Sequence, residues 1–296
     1  MGGFELQSAA CWRRIGSSLG HVTTRGPPKP IFAEDAIKAD RFSETSRFIR
    51  SSTAASRLEL ANYIPLLTTA VAFAFSLLLA RQYFQRRRVH QLLWTVAMAF
   101  YAISAFMEFL MNPDVMGANL SLFRVYYVLA APLVGLLGAG VVYLLAKRGV
   151  ARLFLGFVVV FSLALVATGL TASLNASTFV SGFSGGLAQG ISAASSLYPM
   201  TVRVFAIVLN SVGGVALIVG ALYSFLRDMS RTYNLFIAVG GVLPMAGGAL
   251  LGLFESSDLF FAFELGGTVF LFLGFLLSAG YITRREAAKA APTSNP

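Results

Sequence analysis

Residues 260–281, FFAFELGGTVFLFLGFLLSAGY, hold a single ionisable side chain, Glu264, in an apolar run long enough to cross a bilayer. The whole chain shares this character. Its mean hydropathy is +0.72, and only 12% of its 296 residues are charged, against about 25% in soluble domains. Comparable runs fall at 61–80, 89–111, 125–146, 150–172, 202–225, 233–254 and 259–282. The expected fold class is therefore all-α: a polytopic membrane protein with a seven-transmembrane-helix bundle filling residues 61–285 as one domain.

Charge orders the connections. Fourteen Lys and Arg follow residue 60, and twelve of them lie in alternate connections: Arg81, Arg86, Arg87 and Arg88; Lys147, Arg148 and Arg152; Arg227 and Arg231; Arg284, Arg285 and Lys289. The positive-inside bias makes those connections cytoplasmic, with the N-terminus outside and the C-terminus in the cytoplasm of a cell membrane. Glu108, Asp114, Glu255, Asp258 and Glu264 fall toward the opposite face. Arg86–Arg88 then read as an orientation signal and an anionic-lipid contact at the cytoplasmic face, and a nucleic-acid partner is not expected.

Residues 1–60 carry nine basic and six acidic side chains and no spanning run. They read as a disordered tail or as an extension from a misassigned start, and residues 286–296 as a disordered cytoplasmic tail. The uncharged connection 173–199 is rich in Gly, Ser and Ala. An eighth span there would put the arginines after residue 225 outside, so a surface lid or a re-entrant segment is expected.

Catalytic and metal chemistry find little support. GFSGG at 182–186 matches the serine-nucleophile elbow, and its GFSG resembles the serine motif of rhomboid proteases. Ser184 nevertheless lacks a base, because the histidines are His21 in the tail and His90 at the cytoplasmic end of the second span. So few histidines, together with the lone Cys11, also leave no bis-histidine haem or zinc motif. No enzyme activity, metal or cofactor is expected. The Asn119 and Asn175 sequons fall on the expected outer side.

Seven helices with an outside N-terminus resemble microbial opsins and G-protein-coupled receptors in layout. However, Lys29, Lys38, Lys147 and Lys289 all lie outside the expected helices, which leaves no retinal Schiff-base site. Trp94, Tyr101 and Glu108 followed by FRVYY at 123–127 resemble uncharacterised prokaryotic seven-helix membrane proteins and the seven-helix sensor regions fused to bacterial histidine kinases. That resemblance implies a fold and no activity.

The remaining polar side chains converge on the outer half. Helical spacing puts Trp94, Tyr101, Ser104 and Glu108 on one stripe. Arg124 and Tyr127 share a face of the third helix, Arg203 and Asn210 one of the fifth, and Glu264 lies one turn from Thr268 on the seventh. A lone buried charge there costs several kcal/mol, so Glu108 is expected to pair with Arg124, and Glu264 with Arg203, Arg124 or Glu108. Such pairs either fix helix positions or line an outward-facing pocket for a small solute or proton. Mid-helix Pro132 and Pro244 are expected to kink their helices, and the helix glycines to allow close packing. Three roles follow as expectations: a small carrier or permease, a ligand-binding receptor or sensor acting through a cytoplasmic partner, and an accessory subunit of a membrane complex.

Overall fold

The structure, a computed structural model, is described for residues 63–183, 186–254 and 257–278, without the side chains of 252–254, 257 and 258. The assignments made for residues 1–60 and 286–296, and for Ser184 and Glu255, lie outside the described residues.

Nine helices occur among them: α1 (Ile64–Arg86), α2 (Val89–Leu110), α3 (Leu120–Leu145), α4 (Arg148–Thr171), α5 (Ala176–Gly182), α6 (Leu187–Ser196), α7 (Met200–Arg227), α8 (Tyr233–Phe254) and α9 (Ser257–Ser278). Seven of these are long and apolar enough to cross a membrane, so the chain is a multi-pass membrane protein by length and composition. The ends differ from expectation by a turn or so. Helix α1 runs on to Arg86, where Arg87 stops it in the left-handed conformation at φ 50°. Helix α3 begins five residues early because the Asn119 side chain caps it, accepting from the N–H groups of Ser121 and Leu122.

Contacts close a ring in the order α1, α2, α3, α7, α8, α9 and back to α1, with α4 packed outside against α3 and α7. The pattern of apolar burial follows from this. Helix α3 is the most buried span, whereas α4 buries only 17% of its apolar window and turns Leu153, Val160 and Leu163 outward. A helix that is apolar all round needs lipid on whatever face lacks a protein partner.

Glycine sets the closest approaches. A Cβ on Gly213 would sit 2.5 Å from the Val134 carbonyl oxygen and 2.6 Å from Gly135 Cα, so α3 and α7 touch backbone to backbone. Between α8 and α9, a Cβ on Gly267 would sit 2.5 Å from Pro244 Cδ. Pro244 and Pro132 both lie inside unbroken helices.

In the 173–199 connection, expected as a surface lid or a re-entrant segment, the described residues form the two short helices α5 and α6. Helices α5 and α6 pack on each other and are too short to span. Phe179, Phe183, Leu187 and Ile191 are buried, and Phe179 and Tyr198 lie against Phe123 near the start of α3. The segment is thus an amphipathic helical pair laid over one end of the bundle. The opposite end collects the basic connections. There Asp228 accepts from Ser230 and, at 2.8 Å, from Arg231 Nε, and the Ser230 hydroxyl and then Arg231 hold its carboxyl below the usual range. We call the two the capped end and the basic end.

Candidate functional site

Near the capped end, α2 and α9 bring two carboxyl groups together. Glu108 follows Tyr101 and Ser104 on the stripe that α2 turns inward, and all three are buried, Glu108 to 0% exposure. Glu264 lies about 10 Å along α9 from Ser257, half-buried, with its Oε2 inaccessible. The two side chains stand within hydrogen-bonding reach of each other.

No N–H or O–H group among the described residues reaches either oxygen of Glu108 or Oε2 of Glu264. The facing carboxyl is then the group beside Glu108 that could supply a donor, if one of the two carries a proton. A hydrogen bond between two carboxyl groups contains a proton, so one of the pair donates and the other accepts. Two bare carboxylates would have no donor between them and like charges in contact.

Hydroxyl groups complete the surroundings. Tyr101 donates to the Glu264 main-chain oxygen at 3.3 Å, and its hydroxyl also lies against the Glu264 carboxyl and the Thr268 hydroxyl. Thr268, fully buried one turn deeper, donates back to the same Glu264 carbonyl at 3.0 Å. From α3, Tyr126 comes within electrostatic range of both carboxyls, and the buried Ser104 hydroxyl has no partner among the described residues. The two carboxyls are thus surrounded by the hydroxyl groups of Tyr101, Ser104, Tyr126 and Thr268, with no cation among the groups that reach them in the described residues.

The arginines are elsewhere, which corrects the expected pairing of Glu108 with Arg124 and, of the three partners expected for Glu264, leaves Glu108. Arg124 reaches across to the end of α4, donating through one terminal nitrogen to Leu170 O at 2.7 Å and through the other to Ala172 O at 2.8 Å. The last carbonyls of a helix lack intrahelical acceptor duty and carry the negative end of its dipole, so a forked cation is well placed there. Arg203, at the start of α7, lies in range of Tyr127 and makes no ion pair; the ion pair among the described residues is Arg231 with Asp228. Asn210 is exposed on the outer surface of α7 and leaves the candidate site.

Tyr127 turns to a separate aromatic cluster, its ring centroid 4.4 Å from that of Tyr198 at a tilt of 31°, beside Phe123. Tyr198 lies in the link between α6 and α7, and burial pushes its phenol up to about 12 despite the nearby Arg124 guanidinium. Of the eight candidates, Tyr101, Glu108, Glu264 and Thr268 come together, while Arg124, Tyr127, Arg203 and Asn210 do not. Tyr126 was missed as a site residue because the neighbouring Tyr127, at i+3 from Arg124, carried the more obvious face.

Comparison of the chain with protein-family models, with curated proteins and with solved structures returns no match.

Proposed function

We propose that the protein is a small carrier or permease of the cell membrane whose Glu108–Glu264 pair is a proton-binding element. The observation that supports this is the carboxyl pair itself, standing without a basic partner among the described residues. Ionisable groups at membrane depth are costly and concentrate at ion pathways and proton relays. A purely structural role was expected to use arginine as counter-ion, and Arg124 is engaged with α4 instead. Positive-inside bias supports a cytoplasmic basic end and an outward capped end, so the pair takes its proton from the exterior.

The test is proton entry into proteoliposomes loaded with a pH-sensitive dye and held at an inward-directed potassium-valinomycin potential. Wild-type protein is expected to acidify the lumen faster than protein-free vesicles, and Glu108→Gln and Glu264→Gln to lose the excess while remaining folded. Rates equal to protein-free vesicles, or unchanged in both variants, would remove the proposal.

A further inference from the structure

At the basic end, a cavity of about 190 Å³ lies between α2, α3, α7 and α8. This exceeds the ~150 Å³ of an engineered cavity that admits benzene. One side is apolar, formed by Trp94, Val141, Leu145 and Ile237. Trp94 is held in place because its indole N–H donates to Leu137 O at 3.1 Å. The other side carries Ser224, Asn234 and Arg231.

The polar side consists mainly of donors. Asn234 Nδ2 donates to Ser224 Oγ at 2.9 Å, so the Ser224 oxygen is occupied and its proton remains to be given. Arg231 spends Nε on Asp228 and has two terminal nitrogens with no hydrogen bond among the described residues; its side chain is 53% exposed, which brings the cavity to the surface. Arg86, Arg87, Arg88, Lys147, Arg148 and Arg227 surround this end, with Asp228 as the acid against them. Such a field concentrates anions. An apolar, aromatic-walled cavity with a few convergent donors at its mouth is the usual build of a small-molecule site.

We propose that this cavity binds an oxyanion, a carboxylate or phosphate, borne on a compact apolar body of one ring or a short chain. The oxyanion accepts from Arg231 and Ser224, and the apolar body lies against Trp94. The site is independent of the carboxyl pair near the other end of α2. Its ligand chemistry has two sources, a soluble amphipathic anion or the headgroup of an anionic lipid whose chain enters from the bilayer.

Trp94 reports occupancy. The chain has two tryptophans, so Trp12→Phe leaves Trp94 as sole fluorophore in the full-length protein. In nanodiscs of zwitterionic lipid, benzoate and phenyl phosphate are expected to change Trp94 emission saturably, and uncharged benzyl alcohol is not. Arg231→Gln should weaken binding about tenfold or more, as loss of hydrogen bonds from a charged group implies. Arg227→Gln makes the same charge change outside the lining and should weaken binding less than about threefold. Ala221→Leu, which fills the cavity, should abolish the response. If phosphatidylglycerol discs alone produce an Arg231-dependent change that benzoate reverses, the source is the lipid headgroup. No Trp94 response in either disc, an equal response to benzyl alcohol, or unaltered affinity in Arg231→Gln overturns the proposal.

Discussion

Glu108 on α2 and Glu264 on α9 face each other near the capped end of the bundle, while Arg124, the expected counter-ion, is tied to the last carbonyls of α4. On the proposed reading, a proton held between them makes the pair a proton-dependent link between two helices as well as a proton site. Its energetics can be separated from its transport role.

A glutamine amide donates to a carboxylate, so Glu264→Gln is expected to keep the link and change stability by less than about 1 kcal/mol. Glu264→Leu removes the carboxyl that faces the buried Glu108 and leaves it without a partner, which should cost about 3 kcal/mol or more, part of it recovered when Glu108→Leu is added. A double-mutant cycle on thermal unfolding should show a coupling above about 1 kcal/mol. Additive single effects would mean that the two side chains do not interact.

Arg124→Ala removes two charge-assisted hydrogen bonds from the α3–α4 contact and is expected to cost about 2–3 kcal/mol. Arg124→Lys can meet one carbonyl at a time and should fall between. Because Arg124 is turned away from the carboxyl pair, Arg124→Lys should leave proton entry at the wild-type rate. A loss of entry as large as that of Glu264→Gln would place Arg124 in the pathway.

Two glycines should respond in opposite directions. Gly213→Ala drives a methyl into the backbone of α3 and is expected to cost about 1–3 kcal/mol or to prevent assembly. Gly248→Ala meets nothing within 4 Å on α8 and should stabilise by about 0.5–1 kcal/mol. Equal stability changes at both sites would show that the α3–α7 approach is looser than described.

Burial raises the Tyr198 phenol to about 12, against about 10 for a free tyrosine. The folded state thus holds this proton over a window in which the unfolded chain has lost it. The stability it contributes is complete below about pH 10 and is lost as pH rises toward 12. Alkaline difference absorbance of wild type against Tyr198→Phe should isolate a tyrosinate component near 12; a component near 10 would contradict the burial. The Tyr198 hydroxyl has no partner among the described residues, so Tyr198→Phe itself should change stability little.

Orientation is measurable by labelling. In a Cys11→Ser background, which has no other cysteine, Met229→Cys, 68% exposed at the basic end, should react with an impermeant maleimide from the cytoplasmic side. Ser177→Cys in α5 should react from outside. Labelling of both from one side would break the alternation on which the positive-inside assignment rests.

Much of the architecture is written locally. The seven spans and the alternation of basic connections follow from runs of apolar side chains and the cost of moving arginine through lipid, both of which depend on neighbours in sequence. The inward face of Glu108 was legible for the same reason, because helical spacing aligns it with Tyr101 and Ser104. The choice of partner was not. Arg124 carries a long side chain that could serve a carboxylate or a helix end, and only the packing of α3 beside the terminus of α4 put two unsatisfied carbonyls within its reach. With that arginine engaged, Glu264 meets Glu108 and not a cation. Asn210 was misplaced because a polar residue on an apolar helix was assumed to face protein, whereas α7 leaves that face uncovered. Sequence thus determined which residues could not stand alone in the membrane; helix–helix contact between segments far apart in the chain decided with whom each one stands, since partner choice depends on distances that local periodicity does not contain.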